Sequence, residues 1–132
     1  MSHAAAGQPY KPSGAQEMGT DRQIDREINE LKLNVVQMAQ LTEEAARQSI
    51  DSVINRDSRT AEAVIMGDAA INAMENAINE QCLKLLALRQ PLARDLRLIT
   101  ATMRIITDLE RIADQAVNIA ERALELNLRE PL

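Results

Sequence analysis

Glu110, Asp114, Asn118, Glu121 and Glu125 carry oxygen donors at spacings that a helix turns into one stripe. With Glu110 as zero, a 100° step puts Glu121 near about 20°, Asp114 near 40°, Glu125 near 60° and Asn118 near 80°. Like charges four residues apart on a helix repel. The stripe also lies toward the C-terminal end, where the helix dipole prefers cations. Two local rules are broken together, as happens at functional sites. A bound cation that prefers oxygen ligands relieves both. Carboxylates and carboxamides suit Mg²⁺, Ca²⁺ and Mn²⁺, and carboxylates also take Fe or Zn. Glu110 and Asp114 are the first candidate ligands, with Asn118 and Glu121 next. A solvated acidic face is the competing reading, and spacing alone leaves both open.

A second polar ridge lies upstream. Asp68, Asn72 and Glu75 stand at i, i+4 and i+7, just after Gly67, the one glycine beyond the N-terminal segment. The ridge is either a further set of oxygen ligands, with Asp68 the first candidate, or another solvated face.

Other chemistries find little support. No Ser or Cys has a histidine partner, and there is no glycine-rich phosphate loop and no H-E-x-x-H. The one histidine, His3, lies in the N-terminal segment. A di-iron carboxylate bundle needs Glu-x-x-His pairs on its helices. Acid and base work by paired carboxylates needs a concave site, which a convex helix face does not offer. The chain is therefore read as no enzyme.

The elements that carry these residues follow from composition and period. The 132 residues suffice for one domain, 45% are hydrophobic, and Tyr10 is the only aromatic. A core without aromatics must come from Ile, Leu, Val, Met and Ala, which favours helices over strands. The net charge of −5 argues against phosphate contacts with nucleic acid, and the lack of aromatics removes a stacking platform. The single cysteine, Cys82, sits on an apolar stripe and reads as a small core residue. No segment approaches 18 consecutive apolar residues and no secretory signal is visible, so the expected location is cytoplasmic.

Residues 1–20 hold three of the four glycines and two of the four prolines without period, and read as a flexible tail. Thr20 fits a capping box with Gln23. Helix one then runs to about Ile54 along Ile24, Ile28, Leu31, Val35 and Met38, continued by Leu41, Ala45, Ile50 and Val53. Asp57 or Ser58 caps helix two, which runs to about Leu88 through Val64, Ile71, Met74, Ile78, Cys82 and Leu85. Pro91 suits the start of helix three, over about 92–127. That helix has two apolar stripes: Leu92, Leu96, Ile99, Met103 and Ile106, and Leu98, Ile105, Leu109, Ile112 and Ile119. Two stripes predict contact with two neighbours. Short links make consecutive helices antiparallel, so the expected fold is all-α, an up-down-up three-helix bundle over 21–128. Charge on helix three is uneven. Three arginines and one aspartate lie from Arg94 to Arg104, and five acids with two arginines from Asp108 to Glu125. Arg104, Asp108 and Arg111 are spaced to pair along one edge.

Two segments resemble a known family. Leu88-Arg89-Gln90-Pro91-Leu92-Ala93-Arg94-Asp95-Leu96-Arg97-Leu98-Ile99 resembles the "qPvAxDLRli" signature of the PhoU family of phosphate uptake regulators. Asp108-Leu109-Glu110-Arg111-Ile112-Ala113-Asp114 resembles its "DLERIGD" segment, and Ala116-Val117-Asn118-Ile119-Ala120-Glu121 its "AxNIAE" continuation. Asp68 and Ile71-Asn72 fit a weaker pattern in helix two. The resemblance implies a single PhoU-like domain, similar to the N-terminal half of family members, with a metal motif at Glu110 and Asp114. It implies iron, zinc, magnesium or manganese as cofactor. It also implies a non-enzymatic negative regulator that links a sensor histidine kinase to the ATPase subunit of a phosphate ABC transporter, meeting the membrane only through those partners. A structural interaction module whose acidic face docks a partner without metal is the alternative.

The sequence departs from the family pattern in places. Members carry two tandem bundles, and this chain shows one, so it reads as a fragment or as a single bundle that forms a homodimer. Ala113 replaces the usual glycine, and Ala116 replaces a histidine two residues beyond Asp114, which removes a nitrogen ligand.

Overall fold

Apolar residues recur every three to four positions along three long segments, and each segment folds as one helix. The computed structural model describes residues 14–129. Helix α1 spans Gly14–Ile54, α2 spans Ser58–Leu88 and α3 spans Ala93–Asn127. Each packs against the other two, in the expected up-down-up order.

The start of α1 differs from expectation. The helix begins at Gly14 and not at a Thr20 cap, so residues 14–20, expected in the tail, are helical. Ala15, Gln16, Glu17 and Met18 are good helix formers, and extending a formed helix is easier than starting one. The rest of the expected tail, with His3 and Tyr10, lies outside the described residues.

The links are short because each helix end is closed locally. Arg56 adopts a left-handed backbone at φ 50°. The Asp57 N–H then donates to the Ser52 carbonyl at 3.0 Å and the Arg56 N–H to that of Val53 at 3.4 Å. This is a Schellman closure, with arginine where glycine is usual. Asp57 at once caps α2, accepting from the Thr60 N–H at 3.2 Å and the Thr60 hydroxyl at 2.7 Å. Those two hydrogen bonds hold its carboxyl below the ordinary value. The second link also turns through a left-handed residue, Gln90 at φ 45°. Pro91 precedes the Leu92 cap and does not open α3 itself. Arg89 clamps this link to α1 through two hydrogen bonds to Glu27, at 2.8 and 3.0 Å.

The core has two parts. At one end Leu31, Met38, Ile78, Cys82, Ile99 and Ile106 are buried, each large apolar chain adding about 1.5–3 kcal/mol. Burial also pushes the Cys82 thiol up, as suits a core residue. At the other end the core is small: Ala61, Val64, Ala116, Ala120 and Ala123, with Ser49 and Ser52 buried beside them on α1. The serine hydroxyls donate to carbonyls of their own helix, Ser49 to Ala46 and Ser52 to Ser49, which satisfies them.

This small-residue end corrects two expectations. Leu41, Ile50 and Val53 do not continue the buried stripe of α1, since Thr42, Ser49 and Ser52 take those places. A strict seven-residue repeat drifts by about 20° per heptad on a straight helix. On α3, Ile105 and Ile112 are 45% and 47% exposed, and the alanines at 113, 116, 120 and 123 are buried instead. Close helix approach selects the small side chains and turns the isoleucines outward.

Candidate functional site

The ridge on α2 and the stripe on α3 meet along one seam. Glu110 is half-buried on α3, and Asp114 lies one turn on, exposed. The Glu110 carboxyl is raised above its ordinary value. A hydrogen bond with the Asp114 carboxyl is the largest cause, followed by burial and then the charges of Asp114, Glu75 and Asp68. The i, i+4 spacing sets like charge beside Glu110, which favours its neutral form. Because Glu75 and Asp68 belong to α2, the site is built from two helices and not from one acidic face.

Asp68 is half-buried. One of its oxygens, Oδ2, accepts from Asn72 Nδ2 at 3.2 Å. The other, Oδ1, is buried and has no hydrogen-bond partner. A buried carboxylate oxygen without a donor is destabilising unless something outside the protein meets it. Gly67 next to it has open space where a Cβ would stand, so packing does not require a glycine there.

The donor set is all oxygen: four carboxylates and the Asn72 amide. Among the described residues no three His, Cys, Asp or Glu side chains converge to metal-ligating spacing. Cation binding by this seam therefore needs the carboxylates to close in. Asn118 and Glu121 are exposed further along α3, about 12 and 16 Å from Glu110, and Asn118 stands one turn, about 6 Å, beyond Asp114. With Gln115, Ile119, Arg122 and Glu125 they share an open face of α3.

The expected edge of ion pairs on α3 is thin. Arg111 reaches Asp108 at 3.8 Å, both highly exposed, and Arg104 has no acidic partner among the described residues. The bidentate Arg89–Glu27 pair joins residues far apart in the chain, so no helical spacing announces it. It borders a second cleft, about 260 Å³ between α1 and α2, with Glu30, Gln81 and Lys84.

Comparison with known proteins agrees with the fold. The family model described as the PhoU domain matches residues 35–123, which include Asp68, Glu75, Glu110 and Asp114. A phosphate-specific transport system accessory protein PhoU homolog of Xylella fastidiosa is 40% identical over 111 residues, covering 84% of this chain and 46% of that protein. The phosphate-specific transport system accessory protein PhoU of Escherichia coli is 40% identical over 103 residues, covering 78% of this chain and 43% of that protein. The crystal structure of PhoU from Pseudomonas aeruginosa superposes with a TM-score of 0.77 at 38% identity, covering 79% of this chain and 50% of that one. The chain spans about half the length of the curated relatives it matches. A domain match over most of the bundle, with relatives at 40% identity across it, makes this chain a member of the PhoU family.

Proposed function

We propose that this chain is a non-enzymatic regulator of phosphate uptake. The observation that carries this is the 40% identity, across most of the bundle, to proteins named as accessory to phosphate-specific transport. In this reading it acts in the cytoplasm as an adaptor and negative regulator, between the ATPase subunit of a phosphate transporter and a sensor histidine kinase. It works as a homodimer and reaches the membrane through its partners. No helix among the described residues is long and apolar enough to cross a membrane.

The acidic seam binds a divalent or iron cation in this reading. Asp68, Glu75, Glu110 and Asp114 would hold it, and the ion would supply the positive charge that the seam lacks. The unpartnered Asp68 Oδ1 supports the fit. Hard oxygen donors without nitrogen or sulfur favour Mg²⁺, Mn²⁺ or iron over zinc. Asn118, one turn beyond Asp114, and Glu121 would be the next oxygen ligands along α3.

Thermal unfolding of chelator-treated protein, titrated with Mg²⁺, Mn²⁺, Fe²⁺ and Zn²⁺, tests the metal. A cation at about a hundred times its dissociation constant stabilises the fold by about 2.7 kcal/mol. The rise should saturate and vanish in the Glu110→Ala/Asp114→Ala double variant. No rise with any cation leaves the second reading, a docking face without metal, which the lack of converged ligands favours. Co-purification with the transporter ATPase and the kinase, with and without cation, tests the adaptor role. Failure to retain either partner under both conditions refutes it.

A further inference from the structure

The end of the bundle where α2 turns into α3 carries exposed apolar side chains. Leu88, Leu92 and Leu96 are 68%, 79% and 42% exposed. Leu92 lines a hollow of about 410 Å³ with Ile24 and Asp25 on the α1 side and Arg89, Arg94 and Asp95 on the other. Arg89 is held by Glu27. Asp25, Arg94 and Asp95 make no ion pair among the described residues. The hollow thus has an apolar floor, with a guanidinium and two carboxylates on its rim.

Such a site suits a side chain that is apolar in its body and polar at its tip. Tyrosine meets both demands: the ring packs on leucine and beside a guanidinium, and the hydroxyl reaches a carboxylate. The chain has one aromatic residue, Tyr10, and the core is built without it.

Tyr10 is within reach of the hollow. From Gly14, where α1 starts, Ile24 lies ten residues on, about 15 Å along the axis. Tyr10 stands four residues before Gly14, about 13–14 Å of extended chain, and its own side chain adds to that. The segment before α1 can therefore turn at the head of the helix and lie back along it as far as Ile24. Only residues 10–13 need to be ordered for this. Pro9 and Pro12, on either side of Tyr10-Lys11, already restrict the backbone, and a stiff segment loses less entropy on docking. Lys11 beside Tyr10 complements Asp25 and Asp95 in charge.

We infer that the segment before α1 folds back as a strap over this end of the bundle, with Tyr10 seated in the hollow between Ile24 and Leu92. The strap covers the exposed leucines in the free protein and opens them to another protein when it is released. It does not depend on the metal or on the transport partners.

The test uses the whole chain and its single fluorophore. With no Trp and one Tyr, the intrinsic emission reports Tyr10 alone. Acrylamide quenching should be about half or less of that in a free peptide of residues 1–13, as a strap closed in most molecules requires. It should not change with protein concentration. Leu92→Asp should raise quenching to the peptide value. Leu92 is the N-cap of α3 and makes no side-chain cap hydrogen bond, so aspartate there helps the helix and the variant stays folded. Met66→Asp, on an exposed part of α2, should leave the protection intact. Helical circular dichroism confirms the fold of both variants. Quenching equal to that of the peptide overturns the inference. So does protection that survives Leu92→Asp, or that Met66→Asp also removes, because Tyr10 would then lie elsewhere. Protection that grows with concentration assigns the hollow to the segment of a second copy and refutes the strap.

Discussion

Glu110→Gln should stabilise the metal-free protein at neutral pH. In the fold the Glu110 carboxyl is raised, first through its hydrogen bond with Asp114 and then through burial and the charges of Asp114, Glu75 and Asp68. The folded state therefore binds this proton more tightly than the unfolded chain does. Its contribution is fully present below the unfolded value of 4.5 and is lost as pH rises through the higher folded value. Above that window the seam carries uncompensated repulsion. Three neighbouring carboxylates at about 0.3 kcal/mol each, the scale of screened helix pairs, make about 1 kcal/mol. Glutamine keeps the size and the helix propensity, and its amide donates to the Asp114 carboxylate.

The assay is thermal unfolding in chelator and low salt, from pH 4 to pH 8. A gain of about 1 kcal/mol raises Tm by roughly 3–5 °C for a domain of this size. The gain should shrink toward pH 4, where wild-type Glu110 is itself protonated, and it should shrink as salt screens the charges. If the seam binds a cation, saturating cation inverts the order, because the ion relieves the same repulsion in the wild type alone. A Glu110→Gln protein less stable than wild type in chelator at neutral pH would refute the reasoning. A gain that persists undiminished at pH 4 would refute it equally, since the effect would then not be charge.

Three further outcomes follow from the packing and the clamp. Arg89 hydrogen-bonds Glu27 and holds its carboxyl below the ordinary 4.5, so the pair stabilises the fold above that pH and loses its effect as pH falls through the lower folded value. Glu27→Gln should therefore lower Tm at neutral pH, and its melting curve should meet that of the wild type in acid. Ile78→Ala empties a fully buried place in the large-residue core and should cost about 2–5 kcal/mol in urea unfolding, with an unchanged m-value. Ala120→Leu forces a branched side chain between closely packed helices and should cost about 1–3 kcal/mol in the same assay. An Ala120→Leu variant as stable as wild type would mean that the small-residue end has room to spare.

The helices were legible because their period repeats over many turns and their stops are local chemistry. Asp57 announces the α2 cap, and Arg89-Gln90-Pro91 announces the break before α3. The start of α1 was not legible, because Thr20 offers a good cap that the helix runs past. The Arg89–Glu27 clamp was hidden by its long separation in the chain. The candidate site was half legible. Spacing on α3 shows that Glu110 and Asp114 share a stripe, and spacing on α2 shows the same for Asp68, Asn72 and Glu75. Neither shows that the two stripes face each other, because the rotation of one helix against another depends on which residues fill the core. On α3 the sequence offers competing stripes, one of isoleucines and one of small residues. Transfer energy alone favours burying the isoleucines. Ala61 on α2 and Ser49 and Ser52 on α1 leave space only for the small side chains, so Ala116, Ala120 and Ala123 are buried. That choice turns Glu110 toward Asp68 and Glu75 and turns Ile105 and Ile112 to the outside. The acidic seam and the exposed apolar face are thus two consequences of one packing decision. A large residue at Ala61 or Ser52, both fully buried, should disturb both.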